Sequence, residues 1–263
     1  KNKKHYEIVL DQTPFYAEMG GQVGDIGTLT SENETVKVLN TVKENDLIIH
    51  ITDRIPQEPE ADFIAAIDVK RRKRIEANHT TTHLMHSALR QVLGSHVEQK
   101  GSLVNEERLR FDFSHFAKMT EEEIRKVEDI VNEKIREDVV NNTFENVPID
   151  QAKEMGAMAL FGEKYGDHVR VVSFDSNYSV ELCGGTHIAS TGRIGAFKIL
   201  TEGAIAAGVR RIEAVTGEEV MNYLDNQIDQ INRIKEIVKG TADIVKAVES
   251  LSLQNQALQK KVE

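Results

Sequence analysis

The feature that most restricts how this chain can fold is a pair of histidine-containing motifs far apart in the sequence. Residues 79–83 read HTTTH, and residues 183–187 read CGGTH. Side chains four residues apart on a helix lie about 40° apart around its axis, so His79 and His83 share one helical face. If the two motifs serve one site, the fold must bring a helix and a distant loop together.

The second motif adds a thiolate and a third imidazole. Gly184 and Gly185 allow the backbone to bend so that Cys183 and His187 converge. Three imidazoles and one thiolate form a borderline-soft donor set that suits tetrahedral Zn²⁺. Each motif alone is a weak signal, but together they favour a metal site. The predicted ligands are His79, His83, Cys183 and His187.

Two alternatives at the first motif are less favoured. Thr80 stands where the HExxH motif has its glutamate, so the general base of a metalloprotease is missing. His86 follows on the same face and could compete as a ligand, but a packed or hydrogen-bonded histidine is the simpler interpretation.

Composition limits the possible classes of protein. The chain has 263 residues, of which 40% are hydrophobic, which favours two domains over one. The net charge of −10 predicts no general attraction to nucleic acid, so such binding would need local basic patches. A single cysteine fits a reducing, cytoplasmic setting, and no apolar run is long enough for a membrane span. Because the first residue is not Met, we expect a longer parent protein.

The N-terminal part is predicted to be a small β-barrel over residues 1–69. Its predicted strands are short and rich in β-branched residues, and cover residues 6–10, 35–42, 47–51 and 63–69. A glycine-dense stretch, residues 13–27, lies between the first two strands. Such a stretch can bring backbone close to a ligand, but a set of tight turns in the barrel is favoured.

Residues 70–216 are predicted to form an α+β domain with antiparallel strands and the metal site. Helices are expected at 70–93, 120–140 and 149–160. Strands are expected at 97–102, 109–113, 143–149, 169–174, 179–182, 193–200 and 209–215. Thr120 and Glu123 form a capping box at the start of the second helix. The fifth of these strands delivers Cys183.

Residues 217–263 are predicted to form a helical arm or the start of a coiled coil. Apolar residues recur there at spacings of three and four, in two runs that Gly240 interrupts. Asn255 is the type of interior polar residue that sets helix register. This pattern indicates possible self-association through the C-terminal helices.

Four segments together resemble the editing domain of alanyl-tRNA synthetase. They are residues 78–102, 109–115, 180–187 and 208–217. Residues 13–25 look like the small barrel that precedes that domain, and the arm looks like the region that follows it. The resemblance covers nearly the whole chain and implies a fragment without the alanine-activating portion.

The resemblance implies hydrolysis of mischarged tRNA(Ala), chiefly seryl- and glycyl-tRNA. The four zinc ligands match residue by residue, and the tRNA acceptor end is the implied partner. Gln99 and Thr82 match positions associated with recognition or catalysis. Thr82 lies at the edge of the metal face, where its hydroxyl can recognise the serine hydroxyl, or can instead bond its own backbone. Gln99 can donate and accept, or be a surface amide.

The sequence leaves open which residues contact tRNA and whether the chain is a synthetase fragment. The best local candidates for tRNA contact are the basic residues Lys70, Arg71, Arg72, Arg74, Lys100, Arg210 and Arg211. The first five-residue basic run, 70–74, could equally be a solvated helix turn. Two alternatives to the synthetase fragment are a free-standing deacylase and a non-catalytic zinc-stabilised module for tRNA binding or dimerisation.

Overall fold

The computed structural model describes residues 5–159, 165–238 and 243–262. The chain divides into two compact units, Lys1–Gly217 and Glu218–Glu263. The first unit is α+β with antiparallel sheets, as the sequence predicts, and the second is helical. The further division of the first unit at residue 69 stays a prediction. Within the described residues, no helix combines the length and apolar character needed to cross a bilayer.

The N-terminal sheet is open where a closed barrel was predicted. Its strands are β1 (Tyr6–Val9), β2 (Gly27–Thr30), β3 (Thr35–Glu44), β4 (Leu47–Thr52) and β5 (Ile64–Ile67). They pair in the order β1-β4-β3-β2-β5, and no ladder among the described residues joins β1 to β5. The barrel is therefore not confirmed. A small core of Phe15, Leu29, Val36 and Val38 packs against one face.

The central helix α1 (Val69–Leu93) begins and ends close to the predicted positions. The carboxylate of Asp68 caps its start by accepting from the backbone N–H of Arg71, and the helix ends at Gly94, which takes a positive φ of 116°. Every residue from Ala77 to Leu89 is buried. A helix buried on all sides is normally apolar, so the polar HTTTH turn inside it requires partners for every hydroxyl and imidazole.

A four-stranded sheet packs against α1 and α2 (Glu121–Arg136). Its strands, in the order β11-β12-β7-β6, are β6 (Gln99–Val104), β7 (Leu109–Ser114), β11 (Phe197–Ala206) and β12 (Val209–Thr216). The main core fills the space between them with residues such as Leu84, Phe111, Val131 and Ile212. The predicted capping box of α2 is present, with Thr120 and Glu123 bonded reciprocally.

A three-stranded sheet carries the second motif. It has the order β10-β9-β8 and consists of β8 (Asn142–Pro148), β9 (His168–Phe174) and β10 (Ser179–Leu182). A short helix, α3 (Ile149–Glu154), packs on it through Ala152. The predicted helix over 149–160 is therefore shorter, and Leu160 lies outside the described residues.

Two predicted boundaries in this unit were wrong. Helix α2 stops at Arg136 rather than residue 140, because Asp138 takes a positive φ of 50° and leaves the helix. Residues Thr191–Ile194 form a short 3₁₀ helix, so β11 begins at Phe197 instead of residue 193. Gly195, with φ 86°, separates the two.

The second unit consists of α4 (Glu218–Ile237) and α5 (Ile244–Val262). Gly240, the predicted interruption, lies outside the described residues. Both helices expose apolar side chains at the predicted spacing, including Leu224, Ile228 and Ile231 on α4. Self-association through these helices stays a prediction.

Candidate metal centre and adjoining cleft

Helix α1 presents His79 and His83 on one buried face, as the spacing predicts. The hydroxyls between them are all engaged: Thr81 Oγ1 donates to Ala77 O at 2.8 Å, and Thr82 Oγ1 donates to Asn78 O at 2.9 Å. Hydroxyls that bond the carbonyl four residues earlier make threonine tolerable inside a buried helix.

The CGGTH loop follows β10 and is held by one guanidinium. Arg170 Nη1 donates to the carbonyls of Cys183 at 2.9 Å and Gly185 at 2.7 Å. The backbone N–H of Gly185 donates to Cys183 Sγ at 3.4 Å. These contacts turn the loop so that the thiol and His187 face helix α1.

The two motifs meet as the sequence predicts. One donor atom from each of His79, His83, Cys183 and His187 lies within 4.8 Å of the other three. Cys183 Sγ is 3.5 Å from His79 Nε2 and 3.3 Å from His187 Nε2. We call these four residues the four-residue cluster.

Each imidazole of the cluster turns its Nδ1 atom outward to a different partner. His79 Nδ1 lies 2.6 Å from Gln22 Oε1, and His187 Nδ1 lies 3.1 Å from Thr80 Oγ1. His83 Nδ1 lies 3.6 Å from a carboxylate oxygen of Glu181, beyond hydrogen-bond distance. Outward Nδ1 contacts orient the rings so that the Nε2 atoms serve the centre, an arrangement typical of histidines that bind metals.

Glu181 is a buried carboxylate that the sequence analysis did not single out. Its Oε1 accepts from His86 Nδ1 at 3.2 Å, and its other oxygen faces His83. Burial raises the pKa of Glu181, but the charges of His83 and His86 outweigh burial and leave that pKa lowered. Glu181 lies two residues before Cys183, and residues two apart on a strand face the same side. This spacing could have indicated that Glu181 lies beside the cluster. His86 therefore lies beside the cluster, where its imidazole is hydrogen-bonded to the Glu181 carboxylate.

The electrostatics of the cluster favour a thiolate. Burial raises the pKa of the Cys183 thiol, but the charges of His79 and His83 and a hydrogen bond with His187 hold it well below its ordinary value. Burial lowers the pKa of His187 to about 3, and the charge of His79 adds to this. Burial also lowers the pKa of His83, but Glu181 and Cys183 reverse the effect and raise it to about 9.

The donor set fits a divalent metal. Cysteine binds metals as a thiolate and histidine as a neutral imidazole, the states that the pKa shifts of Cys183 and His187 favour. His83, whose pKa is raised to about 9, would release its proton when a metal binds. The outward contacts of the Nδ1 atoms of His79 and His187 leave their Nε2 atoms for coordination, and the mixed sulfur and nitrogen donors suit Zn²⁺. The group could therefore hold a metal ion, and Zn²⁺ is the ion its chemistry suits best.

A cleft of about 290 Å³ opens beside the cluster. The two residues expected to act on substrate, Thr82 and Gln99, both line it together with His79, His83 and Cys183. The glycine-dense stretch forms another wall through Tyr16, Met19 and Gly20. Sequence reasoning favoured plain turns for that stretch, but it lies against the centre.

The predicted tRNA-contacting residues fall into two groups. Four arginines are in ion pairs: Arg71 with Glu106, Arg72 with Asp25, Arg210 with Glu202 and Arg211 with Asp112. Lys70 is exposed on the first turn of α1, Arg74 is partly buried, and Lys100 is exposed and pairs with Glu98 at 3.0 Å. A guanidinium that already neutralises a carboxylate adds little net charge for a phosphate, so Lys70 is the strongest of these candidates.

Comparison with known proteins identifies the family to which the chain belongs. Residues 169–213, which include the CGGTH loop, match the family "Threonyl and Alanyl tRNA synthetase second additional domain", and residues 1–71 match "tRNA synthetases class II (A)". Over the whole chain, 57% of residues are identical to the alanine–tRNA ligase of Cytophaga hutchinsonii and 56% to that of Bacteroides fragilis. The chain spans about 30% of the length of these relatives. It therefore belongs to the alanyl-tRNA synthetase family and corresponds to one portion of its members.

Proposed function

We propose that this chain removes wrongly attached amino acids from tRNA(Ala), hydrolysing the ester of seryl- and glycyl-tRNA as the editing part of an alanyl-tRNA synthetase. One observation carries the proposal: the four-residue cluster lies at the wall of a cleft that Thr82 and Gln99 also line. The names of the relatives supply the tRNA, and the matched family spans the loop bearing half of the cluster.

The proposed metal is Zn²⁺, held by the four-residue cluster. When bound, it would supply positive charge beside the cleft, which polarises a carbonyl or amine ligand. Four protein donors resemble a closed structural site, so its ordering of the cleft wall is part of the proposal. Glu181 acts as a positioning residue, because its carboxylate accepts a hydrogen bond from His86 and places negative charge beside His83.

The reaction joins the oxygen of water to the ester carbonyl carbon and breaks the bond from that carbon to the ribose oxygen. One water proton ends on the ribose oxygen and the other is released with the amino acid. Gln99 makes no side-chain hydrogen bond among the described residues and faces the cleft. We assign its amide N–H to the carbonyl oxygen as negative charge develops there. The neighbouring ribose hydroxyl of the substrate can carry the proton.

Selection of serine over alanine follows from the hydroxyl of Thr82. Its proton is committed to Asn78 O, at 2.9 Å, so Oγ1 is left as an acceptor facing the cleft. A serine hydroxyl can donate to it, whereas an alanine methyl leaves it without a partner. Glycine has no hydroxyl, so this contact does not account for glycyl-tRNA, whose inclusion rests on the family resemblance.

Replacing Thr82 with valine is expected to reduce discrimination between seryl- and alanyl-tRNA by about 3- to 10-fold, the worth of one neutral hydrogen bond. The measurement is the ratio of the two deacylation rates. Thr81→Val is the matched control, since Thr81 makes the same bond to the carbonyl four residues earlier but does not line the cleft. Equal ratios in Thr82→Val and the unaltered chain would remove this role.

The tRNA contact is tested through its salt dependence. Lys70→Gln is expected to reduce the slope of log K against log salt concentration by about 1, because one phosphate contact is lost. The double variant Arg210→Met/Glu202→Gln removes a pair whose side chains are almost fully buried and leaves net charge unchanged. It should not alter the slope. An unchanged slope in Lys70→Gln would show that this lysine is only a solvated helix residue.

The deciding experiment for the function measures deacylation of seryl-tRNA(Ala) and alanyl-tRNA(Ala) by the 263-residue chain. We expect hydrolysis of the seryl ester well above its spontaneous rate, loss of that hydrolysis after chelation, and recovery on adding Zn²⁺. A chain that binds Zn²⁺ and tRNA yet leaves seryl-tRNA intact would contradict the proposal and favour the non-catalytic module.

A further inference from the structure

Gln22, in the glycine-dense stretch, is completely buried and reaches the metal centre from a segment 57 residues before His79. Its amide makes three contacts. Oε1 lies 2.6 Å from His79 Nδ1 and accepts from the backbone N–H of Thr186 at 2.9 Å, and Nε2 donates to Thr186 Oγ1 at 2.8 Å. The side chain therefore links the histidine of α1 to the CGGTH loop.

These contacts determine which atom of the amide faces His79. A backbone N–H can only donate, so the atom it meets must be the amide oxygen and not the nitrogen. An amide oxygen can only accept, so His79 Nδ1 must carry the proton that it receives. In the neutral ring the lone pair then belongs to Nε2, the atom that lies 3.5 Å from Cys183 Sγ.

The backbone around Gln22 is fixed by β6. Val104 N donates to Gly21 O at 2.7 Å, and Val23 N donates to Val104 O at 3.1 Å. Gly21, with φ 86°, lies so close to β6 that a Cβ would stand 2.5 Å from Ser102 O. Because the backbone on both sides of Gln22 is hydrogen-bonded to β6, its side chain loses little further conformational entropy when it holds its contacts. Such a preorganised partner is what the orientation of a metal-binding ring requires.

We propose that Gln22 is a positioning residue for the metal centre: it fixes the ring and the tautomer of His79 and ties that ring to the CGGTH loop. The inference rests on the proposed metal site and extends it to the N-terminal segment. Partners of this kind behind a ligating histidine are worth about 10- to 100-fold in metal affinity.

Two variants separate this role from simple space filling. Gln22→Met keeps the length of the side chain but offers no acceptor to His79 or to the Thr186 N–H. Gln22→Glu keeps an acceptor oxygen for both. We expect Gln22→Met to weaken Zn²⁺ binding by about 10- to 100-fold and Gln22→Glu to restore it, measured by competition with a chelator of known affinity.

Thr186→Val is the matched control. It removes the acceptor of the Gln22 Nε2 donor but leaves the contact between Gln22 Oε1 and His79 in place. Its Zn²⁺ affinity should fall far less than that of Gln22→Met. Equal affinities for Gln22→Met and the unaltered chain would overturn the proposal, and so would equal losses in Gln22→Met and Gln22→Glu.

A spectroscopic measurement on the unaltered chain tests the inference without depending on whether the variants fold. With Zn²⁺ bound, the ¹⁵N signals of the His79 ring should show a protonated Nδ1 that is protected from exchange, and an Nε2 without a proton. A proton on Nε2 would overturn the inference while leaving metal binding intact. Failure of the unaltered chain to bind Zn²⁺ at all would instead reject the proposed metal site and this inference with it.

Discussion

Replacing Cys183 with alanine is expected to lower Zn²⁺ affinity by more than about 100-fold, beyond the loss typical of a supporting residue, and to lower seryl-tRNA deacylation in parallel. Cys183 Sγ is the atom that His79 Nε2, His187 Nε2 and the Gly185 N–H all approach within 3.5 Å. Without the sulfur, the imidazoles lose the anion that offsets their charge, and a metal loses its softest donor.

The measurements are metal content after dialysis, chelator competition and the deacylation rate, with circular dichroism to verify that the variant folds. The unaltered chain provides its own control, because it contains a single cysteine. A thiol reagent therefore reports on Cys183 alone, and added Zn²⁺ should slow its reaction. Full deacylation by a metal-free Cys183→Ala variant would defeat the metal proposal.

The four-residue cluster could be predicted from the sequence because local rules determine each half of it. A four-residue spacing on a helix aligns His79 with His83, and a glycine-containing turn brings Cys183 to His187. The meeting of the two halves depends on long-range packing. The donor chemistry made that meeting a reasonable expectation, since two incomplete ligand pairs complete each other.

The residues behind the cluster were not predicted, for a physical reason. Gln22 and Glu181 act through partners distant in sequence, at 57 residues from His79 and 95 from His86. Neither periodicity nor a turn signal relates Gln22 to His79 over such a separation. For Glu181, strand periodicity indicates only that it faces the same side as Cys183, and not that it meets His86. Turn chemistry alone favoured a set of tight turns for the glycine-dense stretch, whereas the structure also places Tyr16, Met19 and Gly20 at the cleft.

Charge was the least predictable property. A run of basic residues opens α1, and sequence alone does not tell which of them face carboxylates. The structure pairs Arg71 and Arg72 with Glu106 and Asp25, so Lys70 is the strongest candidate of the run for the proposed contact with tRNA.

The N-terminal strands were mostly placed correctly, but β2 was missed because Gly27 was assigned to a turn. A Cβ there would stand 2.1 Å from Ala66 O, so the glycine serves strand pairing.

Replacing Gly185 with alanine is expected to disrupt the centre about as severely as loss of a ligand. A Cβ on Gly185 would stand 2.0 Å from His79 Cε1, 2.5 Å from His79 Nδ1 and 2.8 Å from Gln22 Oε1. The ring lies between Gln22 and Cys183 and has no room to retreat without breaking a contact. We expect a cost of about 1–3 kcal/mol in the free energy of unfolding from overpacking and a loss of Zn²⁺ affinity of at least about 100-fold, beyond that of a supporting residue.

The neighbouring glycine supplies the control. A Cβ on Gly184 would meet only Met19 Cε, at 3.0 Å, the flexible end of a long side chain, and neither glycine has a positive φ. Both substitutions therefore change backbone entropy similarly, and available space alone separates them. Gly184→Ala should keep near-normal Zn²⁺ affinity in chelator competition and a near-normal melting temperature. If Gly185→Ala binds Zn²⁺ as tightly as Gly184→Ala, the close packing of His79 against the loop is not what holds the centre together.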